Sequence, residues 1–412
     1  MTSSLTCRFC RHDLTQTFVD LGMTPLANSY LHEERDIPAE KSYPLHARVC
    51  THCFLVQVED VVPAEDIFSD YAYFSSYSSS WVAHAHAYAQ KLIDQLSLDG
   101  RSLVVEIASN DGYLLKHFVD RKVPVLGIEP AANVAKAAEE VGARTEVAFF
   151  SVETAKRLAH DGHQADLMVA NNVMAHVPDI NDFIGGVPIL LARDGVFTIE
   201  FPHLLNLIEK VQFDTIYHEH YSYLSLLTVE KILAAHGLKV FDVEELSTHG
   251  GSLRVYACHQ DASDFEETSR LKALREKEET AGLNSLAAYQ NFTPRVEKIR
   301  DDLVPFLTKA KAEDKKVAAY GAAAKGNTLL NYCTINTELI DFVVDRNPEK
   351  QGTLLPGSHI PVFAPDKIWD AKPDYVLILP WNLADEITSD MAAIKDWGGQ
   401  FVIPIPELKV FS

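Results

Sequence analysis

The pattern of apolar and polar residues predicts two stretches in which strands alternate with helices. In the first stretch, residues 102–109 and 123–129 are strand-length apolar runs that flank a helix-length segment. Strands that alternate with helices predict a parallel, doubly wound α/β sheet. Three further strands of this sheet are expected around residues 144–149, 166–170 and 195–201.

The next segment predicts an antiparallel addition to this sheet. A helix over residues 228–235 ends at Gly237, and two strands follow over 238–244 and 252–259. Two final strands joined by a short loop suit an antiparallel edge on an otherwise parallel sheet. Residues 262–315 are highly charged, with apolar residues at helical spacing, and are interpreted as a helical linker.

A second α/β series begins at Lys316. It opens with a strand over 317–321 and a loop of small residues over 322–328 that leads into a helix. The chain is therefore expected to contain two α/β domains. Later strands of the second domain are expected over residues 340–345, 373–380 and 400–404.

The N-terminal part has a different character. Residues 1–60 contain short alternating runs around two pairs of cysteines, a pattern typical of small strands. A Ser/Tyr-rich stretch follows, and after it a helix with one apolar face is predicted. Its apolar positions are Trp81, Ala85, Tyr88, Ala89, Leu92 and Leu96.

Composition excludes several classes of function. Of the 412 residues, 47% are hydrophobic and 23% are charged, which indicates a globular chain. No apolar stretch approaches the ~20 residues that span a bilayer, and the first residues lack an apolar signal sequence, so we expect a cytoplasmic protein without a membrane partner. The 37 basic and 58 acidic residues give a net charge of -21, which argues against a nucleic-acid partner.

The cysteines predict a structural zinc site. Four of them form two Cys-x-x-Cys pairs, Cys7/Cys10 and Cys50/Cys53. In a cytoplasmic chain such pairs indicate a metal rather than disulfides. Four thiolates occupy all four coordination positions of a tetrahedral zinc ion and leave none open for a substrate. We therefore expect one structural zinc ion per chain.

The turn after the first strand of the large sheet carries acidic and small residues in place of three glycines. Glu106, Asn110, Asp111 and Gly112 lie in or after this strand, and Glu129 ends the next one. Dinucleotide sites need glycines because a diphosphate approaches the backbone. This turn instead suits S-adenosylmethionine (SAM), a sulfonium cation without phosphate. Glu129 can accept hydrogen bonds from both hydroxyls of its ribose. An ordinary βα turn is the alternative.

Polar residues also follow the fourth strand, at the sheet edge where ligands bind. Asn171 and Asn172 come directly after this strand, and His176 lies where it can face both cofactor and substrate. The alternative for a single histidine at such a position is an ordinary surface residue.

Residues 213–223, beyond the fifth strand, concentrate aromatic, histidine and acidic side chains. A metal site that uses His218 and His220 is one interpretation, but both would need further ligands. The favoured interpretation is proton transfer, because it needs only one base near neutrality, a carboxylate that holds it and a phenol that assists.

Two cations can bind an anionic substrate in this acidic chain. Arg254 follows His249, Gly250 and Gly251, and these glycines allow a close approach of the backbone. An arginine can bind a phosphate bidentately. Lys325 lies at the start of a predicted helix, whose N-terminus favours an anion. Either residue is alternatively an ordinary solvated charge.

As a set, these residues resemble those of the SAM-dependent sugar C-methyltransferases, which act on nucleotide-linked keto-deoxysugars. The resemblance covers the whole chain. It implies three domains: a zinc-binding domain over residues 1–70, a class I SAM-methyltransferase domain over 71–261, and, after the helical linker over 262–315, a Rossmann-like α/β domain over 316–412 that helps to bind the nucleotide-sugar. The matching motifs are the four paired cysteines, 25–28, 71–76, 106–112, 171–176, 217–220 and 249–254.

Carried onto this chain, the resemblance implies a mechanism. His220 would be the general base, and Glu219 would orient or charge-balance its imidazole. His176, Tyr217 and Tyr73 would surround the reacting sugar. A carbon beside a ketone is acidic enough for a positioned base, and the enolate that forms would attack the methyl group of SAM.

The resemblance also implies further binding residues. Ser75 would join Asn171 and Asn172 at SAM, and Asn28 would contact the substrate. Ala108 departs from the family pattern, because many SAM enzymes have glycine there, and its methyl group is expected to crowd the carboxylate end of SAM. The methylated carbon (C-3' or C-5'), the base of the nucleotide (dTDP in the resembling pathway) and the oligomeric state stay open.

Three other classes of function stay open as well. A SAM-dependent O- or N-methyltransferase would not need the cluster around His220. An NAD-dependent oxidoreductase would use Asp345 in the C-terminal domain, although residues 321–326 lack the second glycine that a pyrophosphate needs. A zinc-stabilised nucleotide-sugar binding module would leave the His220 cluster unexplained.

Overall fold

A computed structural model describes residues 5–63 and 75–412 of the chain. Tyr73, which was expected beside the reacting sugar, lies outside the described residues. Within the described ranges, every helix is too short or too polar to cross a membrane.

The N-terminal part is an antiparallel sheet that includes one strand from much later in the chain. β1 (Gln16–Thr24) pairs with β2 (Tyr43–Val49), and β2 pairs with β3 (Val56–Gln57). The last strand, β9 (Ser222–Tyr223), pairs with β3. This sheet therefore joins the cysteine-containing segment to the segment that carries His220.

The central sheet is doubly wound, as predicted. Its parallel strands are β4 (Val104–Ile107), β5 (Val125–Ile128), β6 (Thr145–Glu146), β7 (Ala165–Asn171) and β8 (Leu191–Pro202). A hairpin of β10 (Leu238–Leu246) and β11 (Ser252–His259) completes the order β10-β11-β8-β7-β4-β5-β6. β11 is antiparallel to both of its neighbours, which confirms the predicted antiparallel edge.

α1 (Ser79–Leu96) is the predicted amphipathic helix. The Ser78 side chain accepts a hydrogen bond from the backbone N–H of Trp81 and so caps its first turn. Its buried face, which includes Tyr88 and Leu92, packs against the central sheet. The other helices of this part are α2 (Leu115–Val119), α3 (Ala132–Glu140), α4 (Val152–His160), α5 (Ile180–Leu190), α6 (Leu204–Glu209) and α7 (Leu226–Ala235).

The predicted linker is helical, and it also packs tightly on the central domain. It forms α8 (Ser269–Thr280), α9 (Ala287–Gln290) and α10 (Phe292–Ala312). Leu271 and Leu274 of α8 are buried in the core of the central domain. The fully buried Glu278 accepts hydrogen bonds from the backbone N–H of Leu226, at 2.7 Å, and from Nε2 of His203, at 2.7 Å. The segment therefore fixes the start of α7.

The C-terminal part is a second, mostly parallel sheet with the order β14-β13-β12-β15-β16-β17. Its strands are β12 (Val317–Tyr320), β13 (Phe342–Val344), β14 (Val362–Phe363), β15 (Tyr375–Ile378), β16 (Gln400–Ile403) and β17 (Lys409–Phe411). Its helices are α11 (Ala324–Tyr332), α12 (Lys367–Ala371) and α13 (Ala384–Asp390). The four strands predicted for this domain are confirmed.

All three parts of the chain meet at residues 213–220. The backbone carbonyl of Pro44 bonds to the ring of His218, from the N-terminal side. From the C-terminal domain, Thr328 donates to the carbonyl of Ile216 at 3.0 Å, and Trp381 donates to the carboxylate of Asp214 at 2.7 Å. This segment follows β8, so it lies at the carboxyl edge of the central sheet, where such sheets bind ligands.

Candidate active site

The four paired cysteines converge on one point. Sγ of Cys7 lies 3.6 Å from Sγ of Cys53, and Sγ of Cys10 lies 3.5 Å from Sγ of Cys50. A tetrahedral ion with metal–sulfur bonds of about 2.3 Å requires sulfur separations near 3.8 Å, so this arrangement fits zinc. Nε2 of Gln57 donates to Sγ of Cys7 at 3.2 Å, as expected for a thiolate acceptor. The zinc site predicted from the sequence is confirmed.

The turn after β4 adopts a backbone that glycine usually provides. Ala108 has φ +56° and Asn110 has φ +50°, both in the left-handed region. Asn110 accepts a hydrogen bond from the backbone N–H of Ser75, which brings Ser75 to the turn. Gly112 packs so closely on α3 that a Cβ atom would lie 2.9 Å from Val141. Gly112 is therefore required by packing against the helix.

Buried acceptor atoms without a protein partner line this edge of the sheet. Among the described residues they include Oε2 of Glu106 and one side-chain oxygen each of Asp111, Asn171 and Asn172. Burial raises the pKa of Glu106 well above its ordinary value. Such atoms are costly to bury unless a ligand satisfies them. The ammonium and hydroxyl groups of SAM are donors of the kind that these acceptors lack, and the contacts between these residues and SAM stay a prediction.

Glu129 directly follows β5, but its carboxylate already has two backbone partners. It accepts hydrogen bonds from the N–H of Asn110 and of Ala131, both at 2.9 Å. Glu129 therefore also holds the turn after β4. Each carboxylate oxygen keeps a second lone pair, so the ribose contact remains a prediction.

We expect Glu129→Ala to weaken SAM binding by an amount on the order of 2–4 kcal/mol, because a charged acceptor is lost. Isothermal titration calorimetry measures the change. Glu146→Ala is the matched control, since Glu146 ends the adjacent strand and pairs with Arg157 on the surface. Unchanged affinity in Glu129→Ala, or tight binding of NAD by the wild type, would refute the assignment.

His220 is held as a neutral imidazole with a defined proton. Its Nδ1 donates to the carbonyl of Thr215 at 2.9 Å, so Nε2 carries the lone pair. The hydroxyl of Tyr217 lies 2.8 Å from this Nε2 and donates to it. Burial, and then the neighbouring His176, lower the pKa of His220 well below its usual range. The arrangement suits a base.

His176 lies beside His220, with the ring centroids 4.7 Å apart. Its Nδ1 donates to the backbone carbonyl of Glu219 at 2.8 Å. Burial lowers the pKa of His176 to about 4, so this imidazole is also neutral at physiological pH.

The expected contact between Glu219 and His220 is wrong. The carboxylate of Glu219 instead accepts hydrogen bonds from Nδ2 of Asn28 at 2.8 and 2.9 Å. The carbonyl of Thr215, and not Glu219, accepts the hydrogen bond from Nδ1 of His220. Asn28 thus reaches the active-site segment through Glu219. The alternative interpretation, a metal site at His218 and His220, has no support among the described residues, where His218 bonds to the carbonyl of Pro44.

Lys325 brings a cation from the C-terminal domain to this cleft. Nζ donates to Oδ1 of Asn382 at 2.7 Å and lies 4.9 Å from the ring centroid of Trp381. Burial raises the pKa of Asp214 to about 6, and Lys325 opposes this shift. Burial also lowers the pKa of Lys325, which remains a candidate for an anionic substrate.

The expectation that Arg254 binds a substrate phosphate is wrong, because internal partners engage its guanidinium. Nη2 of Arg254 lies 2.7 Å from the carboxylate of Glu200, and Nη1 lies 3.4 Å from that of Glu244. The guanidinium also lies 4.4 Å from the ring centroid of Tyr88, and Arg254 is only 3% exposed. Arg254 ties the hairpin to β8 and α1.

The close approach expected at Gly250 and Gly251 occurs within the protein. A Cβ atom at Gly250 would lie 2.6 Å from Trp381, and one at Gly251 would lie 2.5 Å from Asn206. Sequence reasoning missed His249 as a site residue. Its Nε2 lies 3.4 Å from Nδ2 of Asn172, and its ring faces the same cleft. The signal was present, since a histidine before two glycines in the hairpin turn can project from a fixed backbone.

Comparisons with known proteins define the class. Three family models match consecutive parts of the chain: "Putative zinc binding domain" over residues 7–68, "Methyltransferase domain" over 81–243 and "C-methyltransferase C-terminal domain" over 247–406. Fold, site and matches define a SAM-dependent C-methyltransferase with zinc, acting on a small molecule. The oxidoreductase and binding-module interpretations are thereby wrong. Asp345, which the oxidoreductase interpretation would have used at a nucleotide ribose, accepts hydrogen bonds from the backbone N–H of Ala322 and Asn347.

The chain belongs to this C-methyltransferase family. It is 36% identical over 406 residues to the C-methyltransferase NovU of Streptomyces niveus, which covers 98% of this chain and 96% of that protein.

Solved structures show more distant similarity. Magnesium protoporphyrin IX methyltransferase from Synechocystis has 16% identity and a TM-score of 0.35, over 43% of this chain and 83% of that chain. The 1,6-didemethyltoxoflavin-N1-methyltransferase of Burkholderia thailandensis has 16% identity and a TM-score of 0.36, over 50% and 95% of the two chains. These scores are too low to transfer the role of any residue.

Proposed function

We propose that this enzyme methylates a carbon beside the ketone of a dTDP-linked keto-deoxysugar, at C-3' or C-5', in deoxysugar biosynthesis. The observation that carries the proposal is the hydrogen-bonded pair of His220 and Tyr217. A neutral imidazole whose lone pair lies 2.8 Å from a phenol suits removal of a carbon-bound proton next to a carbonyl. Transfer to oxygen or nitrogen does not require an enolate.

The proposed roles follow from the hydrogen bonds. When the sugar binds, the hydroxyl of Tyr217 turns from His220 to the ketone oxygen, and Nε2 of His220 receives the proton of the adjacent carbon. Asn28 holds Glu219, whose backbone carbonyl orients His176 on the other side of His220. SAM supplies an electrophilic methyl group to the enolate carbon.

Lys325 is proposed to bind the diphosphate of the nucleotide. It lies in the first turn of α11, where the unpaired N–H groups and the helix dipole favour an anion. In a chain with a net charge of -21, such a local cation is needed to retain an anionic substrate.

The proposal keeps the domain bounds 1–70, 71–261, 262–315 and 316–412, and a cytoplasmic location, where thiols stay reduced for zinc.

Mass spectrometry of reactions that contain SAM and a panel of dTDP-4-keto-deoxysugars tests the proposal. We expect a singly methylated nucleotide-sugar whose new carbon–carbon bond is located at C-3' or C-5' by NMR. A methyl group on oxygen, or turnover of a small metabolite but of no nucleotide-sugar, would support an O- or N-methyltransferase and reject the proposal.

A further inference from the structure

His249 occupies a fixed position on the wall of the active-site cleft. It lies in the turn Thr248–Gly250 between β10 and β11, and its backbone has φ +52°. The next two residues, Gly250 and Gly251, pack so closely against Trp381 and Asn206 that a Cβ atom at either position would clash. The ring centroid of Trp81 lies 5.4 Å from that of His249. The imidazole therefore packs beside Trp81 on a turn whose two glycines are closely packed.

The imidazole of His249 reaches the reacting region. It interacts electrostatically with His176, His220 and Lys325. Its ring is exposed in the cleft, whereas those of His176 and His220 are half-buried. His249 is thus the histidine of this cleft that a bound acceptor can contact most directly.

The Nδ1–H group of His249 has different surroundings from those of its neighbours. Nδ2 of Asn172 lies 3.4 Å from Nε2 of His249; with this amide group as the donor, Nε2 accepts and Nδ1 carries the hydrogen. His176 and His220 both donate Nδ1–H to backbone carbonyls, and each therefore has its acceptor lone pair at Nε2. Of these three histidines, His249 is the one whose Nδ1 has no backbone carbonyl partner among the described residues.

A neutral N–H group is suited to an oxyanion. It stabilises negative charge through a hydrogen bond without adding a proton to the enolate. Desolvation by the surrounding atoms, and then the charge of Lys325, lower the pKa of His249, which favours the neutral ring.

We propose that His249 is a catalytic residue that donates its Nδ1–H to the acceptor's ketone oxygen as this oxygen becomes an enolate. The inference rests on the proposed function. The C–H bond breaks, its proton passes to Nε2 of His220, and its electron pair moves onto the oxygen held by His249 and Tyr217. The pair then returns to form the new C–C bond, the methyl–sulfur bond of SAM breaks with its electrons remaining on sulfur, and His220 releases its proton to water.

The test compares three variants by exchange of deuterium from D₂O into the acidic carbon of the sugar, without SAM. His249→Gly removes the donor and keeps the left-handed backbone. His249→Asn places an amide N–H at the position of Nδ1 and also tolerates this backbone. His249→Gln places its amide at the position of Nε2 instead. We expect exchange to fall about 10²–10³-fold in the Gly and Gln variants, and to recover largely in the Asn variant.

The outcomes separate this inference from the function on which it rests. If the wild type neither exchanges nor methylates any keto-sugar, the proposed function fails and the inference fails with it. If the wild type exchanges and His249→Gly exchanges equally fast, only the inference is overturned. Equal losses in all three variants together with weaker SAM binding would make His249 a cofactor-positioning residue and overturn it too. Thermal unfolding identifies any variant that is misfolded, and the Asn variant then decides.

Discussion

His220→Asn is expected to lower turnover by about 10²–10⁴-fold, or roughly 3–5 kcal/mol of barrier, with nearly unchanged SAM affinity. Asparagine can keep the hydrogen bond to Thr215 at the position of Nδ1, but it has no basic nitrogen at Nε2. The carbanion must form before or during methyl transfer, so losing the base slows the chemical step. Steady-state turnover and calorimetric SAM titration on the same preparation measure the two quantities.

His160→Asn is the matched control, because His160 is an exposed histidine at the end of α4. We expect it to behave as the wild type. Deuterium exchange at the acidic carbon, without SAM, should be lost in His220→Asn. If exchange and turnover persist there but disappear in His176→Asn, the base is misassigned.

The same assignment fixes the sign of a pH effect. His220 acts as a base only when it is neutral, and its burial favours the neutral form. The acidic limb of the kcat/KM profile should therefore lie below the ordinary imidazole pKa of about 6.5. Activity is then retained as the pH falls through 6.5 and is lost only at lower pH. An acidic limb of the kcat/KM profile that is assigned to His220 and has a pKa above 6.5 would contradict the structure.

Cys50→Ser is expected to abolish zinc binding and to unfold the N-terminal part of the chain. Metal analysis of the wild type should give about one zinc ion per chain, and circular dichroism with limited proteolysis should show the loss of structure in the variant. The expected loss is large, because the binding energy of a structural zinc is folding energy, about 10–16 kcal/mol in zinc-finger peptides.

Cys258→Ala provides the comparison for this prediction. Cys258 is fully buried in β11, far along the sequence from the cluster, and alanine leaves only a small cavity there. We expect this variant to keep its zinc and its N-terminal structure. A zinc-free protein with full activity would disprove the structural role of the metal.

Local patterns predicted the fold well because their signals are periodic. The βα alternation after residue 101, the hairpin and the second α/β domain all have sufficiently long apolar runs. The cysteine pairs succeeded for a related reason, since the spacing within each pair is itself the geometry of half a tetrahedral site.

The wrong expectations concern partners that are distant in the sequence. Glu219 bonds to Asn28, 191 positions away, and Arg254 bonds to Glu200, 54 positions away. An arginine that binds an anionic ligand and one that satisfies two internal carboxylates look identical in a sequence. The proposed role of His249 depends on its contact with Asn172, 77 positions away.

The pairing of β9 with β3 constrains how this protein can be recombined with its relatives. Residues 56–57 and 222–223 share backbone hydrogen bonds, and β9 begins two residues after His220. A chimera that exchanges the N-terminal module as one contiguous block therefore splits a sheet between two parents. Crossovers that preserve function must transfer the short segment around His220 together with the zinc module. These two distant stretches of sequence must therefore come from the same parent.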